Sequence, residues 1–174
     1  YILMIKIKES LIDQYFASLD MLANCIEVCP EDVWLSGTNP RETWKIAAHA
    51  AFITHMYMGQ TLESYQPWND GPDEYRSFWQ LQDDMEPFDF PDSVKPMSRS
   101  VVLDYVTYVR SLVRATVTGL DLETSESGFY WYKKIGKLSH QILNIRHVHS
   151  HIGQLSEILM ANGIETKWIS VGTD

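Results

Sequence analysis

Cysteine is nearly missing from this chain. Only Cys25 and Cys29 occur in 174 residues, four apart in "CIEVCP". Two thiols cannot build a disulfide framework, and a bridge between positions i and i+4 of one helix strains its own geometry. Two thiols alone are also an incomplete metal site. The spacing predicts buried thiols at the end of a helix, a usage that suits a reducing cytoplasm. Basic residues are scarce as well: 14 Lys and Arg stand against 23 Asp and Glu, for a net charge of −9. That balance argues against nucleic acid and against anionic membranes as partners. No apolar run approaches the roughly 20 residues of a membrane span. The opening "YILMIKIKESLIDQYF" lacks the long apolar core and small-residue cleavage site of a secretion signal, so a cytoplasmic protein is expected. Strand-like alternation is scarce too.

What remains is helix. A chain of this length, 45% hydrophobic, fits a single domain over 1–174 with a sizeable core. Leu11, Tyr15, Leu19, Leu22 and Ile26 recur at spacings of three and four and predict a first helix from Glu9 to Val28, ended by Pro30. A second helix starts after "TNPRE", with Thr38 or Asn39 as cap and Pro40 at its first position, and carries "TWKIAAHAAFITHMYMGQTL" to Glu63. Ala47, Ala48, Ala50 and Ala51 allow a neighbouring helix to approach closely. From Ser64 to Met97 the pattern breaks into a loop with five prolines, and "GPDEYRSFWQL" forms a short helix within it. Trp68, Phe78, Trp79, Phe88 and Phe90 of this stretch either roof a pocket or pack against the helices. A third helix runs from Ser98 to Leu120 with Ser98 or Ser100 as cap and Val102, Tyr105, Val106, Val109 and Val113 as its apolar face. The fourth covers Ile135 to Asn162, with Gly163 just past its end. Trp168 is expected to pin the tail. The expected fold class is all-α: a four-helix bundle with a long crossover between helices two and three.

Three of the six histidines fall within "RHVHSHIGQL". A helix turns 100° per residue, so with His147 at zero, His151 lies at about 40° and His149 at about 200°. Ile145, Val148, Ile152, Leu155 and Leu159 mark the core side between about 80° and 160°. His147 and His151 therefore border the core, one turn apart, while His149 is expected at the surface. His-x-x-x-His on a helix can present two imidazoles to one ion. The Glu of the His-Glu-x-x-His proteases is absent, since Val148 follows His147. A third ligand must come from elsewhere, and His49 on the apolar stripe of helix two is the best candidate. His55 lies about 120° around that helix from His49 and points elsewhere. His140 shares the face of His147 two turns earlier, too far along the axis to share an ion, although it can line the same cleft, as can Asn144.

"AAHAAFITHMYMG" followed by "HQILNIRHVHSHIGQLSEILMANGI" resembles the DinB-like (DinB/YfiT) metalloenzyme superfamily. Its pattern is a single His on helix two, then His-x-x-x-His followed closely by Gly-Gln on the last bundle helix. His49, His147, His151, Gly153 and Gln154 stand at those positions, and "NGIETKWIS" resembles the family's usual end. The middle crossover has no counterpart. The resemblance implies a three-histidine site for a divalent metal ion, zinc or nickel, and often a homodimer. It also implies small-molecule chemistry of the kind relatives perform, thiol-dependent S-transfer with a low-molecular-weight thiol. Metal-assisted hydrolysis, a non-catalytic metal-binding or interaction protein, and a metal-free bundle with three buried histidines are the other readings. Gln154, Asn144 and Glu157 are candidates to orient the imidazoles.

Overall fold

The computed structural model describes residues 2–38, 41–73, 75 and 95–173. Five α-helices are described: α1 (Ile2–Val28), α2 (Glu31–Trp34), α3 (Thr43–Met58), α4 (Arg99–Gly119) and α5 (Lys137–Ala161). A 3₁₀ turn, Leu62–Ser64, follows α3, and no strand occurs among the described residues. None of the helices is long and apolar enough to cross a membrane. α1 packs mainly on α4 and α5, and α3 packs on α5 and α4. Their inward stripes form one continuous core.

Local signals explain most boundaries. Pro30 lacks an amide hydrogen and disfavours helix at the residue before it, so α1 stops at Val28. At the other end α1 begins seven residues before the predicted Glu9. Ile2, Leu3 and Ile5 are exposed, so the helix continues there without the buried periodicity that a sequence reading detects. Lys8 Nζ, in this extension, donates to the Thr118 carbonyl near the end of α4 at 2.7 Å. Ser98 caps α4 by accepting from the Val101 amide at 3.3 Å. Every residue of the predicted α4 face is buried. α5 ends in a Schellman motif: the Ile164 amide bonds Leu159 O and the Gly163 amide bonds Met160 O, with Gly163 at φ +75°.

The second predicted helix is shorter at both ends. α3 starts at Thr43, after an extended Glu42 that makes no side-chain cap bond; of the predicted caps, Asn39, and with it Pro40, lies outside the described residues. α3 ends at Met58 rather than Glu63 because a distant partner takes the next segment. The Leu62 amide bonds Gly128 O, and the Asp121 amide bonds Gln60 Oε1 at 2.9 Å. Gly128 sits at φ +82°, and a Cβ there would lie 2.2 Å from Gln60 O, so only glycine permits this approach. The four alanines of α3 are fully buried, as their size suggests.

Trp68 is buried and packs 5.2 Å from the Tyr105 ring. Phe78, Trp79, Phe88 and Phe90, and most of the predicted short helix at Pro72, lie outside the described residues. Cys25 and Cys29 are free and buried. Trp168 does not pin the tail, being 78% exposed. Backbone groups do so instead. Lys167 N donates to Asn24 Oδ1, Gly172 N to Asp13 O, and Arg110 to Thr173 O. A Cβ on Gly172 would stand 2.3 Å from Phe16 Cβ.

Candidate metal centre

His49 projects from the middle of α3, and His147 and His151 from successive turns of α5. The α3–α5 contact brings the three imidazoles together. His49 Nε2 lies 3.4 Å from His147 Nε2, and His151 Nε2 lies 3.1 Å from His147 Nε2. One ring nitrogen from each falls within 4.8 Å of the others. Tetrahedral ligands at Zn–N of about 2.0–2.1 Å stand about 3.3 Å apart, so the 3.4 and 3.1 Å separations from His147 fit a divalent ion. No fourth His, Cys, Asp or Glu joins the group among the described residues. Three-histidine donor sets occur in zinc sites that keep a position open for water or substrate.

Burial keeps the three imidazoles from protonating. It holds His49 down to about 3, with the neighbouring His151, His147 and Arg41 adding to the effect. His147 is held down to about 4 by burial and then by His151. Burial also lowers His151, partly offset by its bond to Gln154. All three imidazoles are therefore neutral at pH 7, the form that coordinates metal. His151 Nδ1 stands 2.9 Å from Gln154 Oε1. With the amide oxygen as acceptor, Nδ1 carries the proton and Nε2 keeps its lone pair toward the cluster. Of the other candidate orienting groups, Glu157 is exposed. Asn144 is fully buried one turn before His147.

The remaining histidines serve other contacts. His55, on a different face of α3, meets the Tyr105 hydroxyl at 2.8 Å. His140 is completely buried, stacked 4.6 Å from Phe129 and 5.0 Å from Tyr57. His149 is not the surface residue its wheel position suggests. It is half-buried, with Nε2 2.9 Å from Ser18 Oγ of α1. α5 has α3 along one edge and α1 along the other, so a ring about 160° from His151 meets a second helix rather than solvent.

Tyr57 borders the centre, its ring 6.5 Å from that of His147. Trp131 Nε1 donates to the Tyr57 hydroxyl at 3.1 Å, and Tyr130 lies outside them, 69% exposed. A cleft of about 430 Å³ between 61–63 and 126–133 contains none of the three histidines. Two features escape a sequence reading. Arg41 acts electrostatically on both His49 and His151. Behind His147, Tyr15, Gln141 and Asn144 form a buried hydrogen-bonded network. Asn144 lies about 60° from His147 on the helix, beside the histidines, but Gln141, at about 120°, falls among the core positions and Tyr15 reads as an ordinary apolar one.

Comparison of the chain with models of known protein families, with curated proteins and with solved structures finds no match.

Proposed function

We propose that the protein is a divalent-metal-dependent enzyme of the DinB-like type, a four-helix bundle with a crossover between its second and third long helices. It carries a thiol-dependent S-transfer between small molecules. The observation that supports this reading most is the convergence of three neutral Nε2 atoms from two helices at ligand spacing. An ion held by His49, His147 and His151, zinc or nickel, supplies Lewis acidity and a seat for a thiolate. The chain's own contribution is to hold three unprotonated nitrogens in place, with Gln154 fixing one ring. The thiol loses its proton to solvent, its sulfur bonds an electrophilic carbon, and the leaving group departs with its electron pair. Two free buried cysteines are compatible with the cytoplasmic location this chemistry implies.

The test is elemental analysis followed by incubation of the metal-loaded protein with a panel of low-molecular-weight thiols and electrophiles. About one ion per chain and thiol consumption matched by thioether formation are expected. Cleavage of esters or amides without any thiol turnover would identify a hydrolase instead. Bound metal with no turnover of either kind would leave a metal-stapled interaction protein. Absence of metal would remove the reading.

A further inference from the structure

The two nitrogens of His147 have different surroundings. Nε2 faces His49 and His151. Nδ1 is buried and has no hydrogen-bond partner among the described residues. One turn earlier on α5, Asn144 Oδ1 is buried in the same condition. Residues three apart on a helix share a face. The two orphans are complementary: an imidazole that keeps its Nε2 lone pair must carry its proton on Nδ1, and an amide oxygen only accepts.

The surroundings fix which way Asn144 points. Its Nδ2 donates to the Thr54 carbonyl at 3.0 Å, a group that can only accept, and to the Tyr15 hydroxyl at 2.9 Å. Oδ1 is thereby the free end. Tyr15 in turn donates to Gln141 Oε1 at 2.7 Å, and Gln141 Nε2 donates to the Tyr57 carbonyl at 3.0 Å. Tyr15, Thr54, Gln141 and Asn144 are all 0% exposed. The network is anchored in α1, α3 and α5, so its amide has one orientation available. A further turn down, both ring nitrogens of His140 are also buried without a partner among the described residues. Complementary buried groups left unmatched on one helix face are the setting in which internal water is found.

We propose that Asn144 is a positioning residue for His147. Its Oδ1 receives the His147 Nδ1–H across one internal water, and so holds the Nε2 lone pair on the side of His49 and His151. The water accepts from His147 and donates to Asn144. This is the role Gln154 fills directly for His151. The proposal rests on the reading of the three histidines as ligands, since an ion is what keeps Nε2 atoms unprotonated at 3.1–3.4 Å from one another.

Zinc affinity is measured by chelator competition, and long-range ¹H–¹⁵N correlation spectra of the zinc-loaded protein give the His147 tautomer. Nδ1–H is expected in the unaltered chain. Asn144→Leu, close in shape, should lower zinc affinity by about 10–100-fold. Asn144→Asp restores an acceptor and should recover most of the affinity. Both variants lose the amide donors to Thr54 and Tyr15, so a purely structural role would place Asp with Leu. Should the Leu variant fail to fold, the Asp variant still decides: an affinity about 10–100-fold below that of the unaltered chain overturns the proposal. Equal affinity in the unaltered chain and a folded Leu variant, or His147 bonded to zinc through Nδ1, overturns it too. A chain that binds no zinc overturns the proposed function, whereas zinc binding indifferent to Asn144 overturns this proposal alone.

Discussion

The two main seams of this molecule are built from opposite materials. Between α1 and α4 the interior is apolar: Leu11, Ile12, Leu19 and Leu22 on one side, Val102, Val106, Val109 and Val113 on the other, all buried. Charges stay at the rim, where Arg110 binds Asp20, Arg114 reaches Glu9 and the Arg110 guanidinium lies 4.5 Å over the Phe16 ring. Between α3 and α5 the polar groups are inside. His49 meets His147, Asn144 bonds Thr54 O, Gln141 bonds Tyr57 O, and Lys137 donates to Gly59 O at the end of α3. Burying such groups costs stability unless each is matched. The first seam carries folding free energy; the second gives up part of its own for a site.

The largest expected effect separates these roles. His147→Ala with His151→Ala should abolish metal binding, because two of the three proposed ligands leave. Retention of the full metal content in the purified double variant would sink the ligand assignment. In the other seam, Leu19→Ala removes a side chain that is 0% exposed. It should cost about 2–5 kcal/mol in urea unfolding at unchanged metal stoichiometry. Loss of metal in that variant, once shown to be folded, would mean that the seams are not independent.

A smaller effect comes from acid. Burial holds His55 to about 4 and His140 to about 3, below the value of about 6.5 expected in the unfolded chain. Between those values the unfolded chain binds more protons. Stability is therefore complete above the unfolded value and is lost as pH falls from about 6.5 toward 4 for His55 and toward 3 for His140. Each such histidine contributes a slope of up to about 1.4 kcal/mol per pH unit in that window. His140→Phe keeps an aromatic ring against Phe129 and Tyr57 and removes one proton from the difference. Its unfolding free energy, measured at pH 7 and pH 5, should fall less than that of the unaltered chain. An equal fall in both would show that His140 is protonated in the folded protein.

Legibility does not follow the seams; it follows whether a signal is local. Ser98 and the valine stripe placed α4 to within a residue at each end, and Gly163 placed the end of α5, because those signals are local. The start of α1 was not legible, since exposed Ile2 and Leu3 carry no buried periodicity. The end of α3 was not legible either, because what unwinds it is a glycine nearly 70 residues away. At the site, the His147/His151 pair is written in its spacing, and His49 joins it through an apolar stripe. The groups behind them are not written that way. The Tyr15–Gln141–Asn144 network draws on three helices, and Arg41 acts through space. Trp168 shows the converse error: a large aromatic side chain does not by itself specify burial.

His149 puts the comparison on a single helix. It lies two residues from each of the paired histidines, yet its Nε2 turns to Ser18 of α1. Ser18 Oγ already donates to the Gln14 carbonyl at 2.6 Å, so it accepts from His149 Nε2–H, and His149 has no nitrogen aimed at the cluster through that atom. His149→Ala should therefore leave metal content and affinity unchanged. It should cost about 1 kcal/mol of stability, the typical net worth of one hydrogen bond, with Ser18 left without its donor in the interior. Ser18→Ala should cost a similar amount, and the double variant little more than either alone, since both remove the same contact. A drop in metal affinity in His149→Ala would instead mean that α5 is rotated relative to α3 and that the cluster includes a different pair.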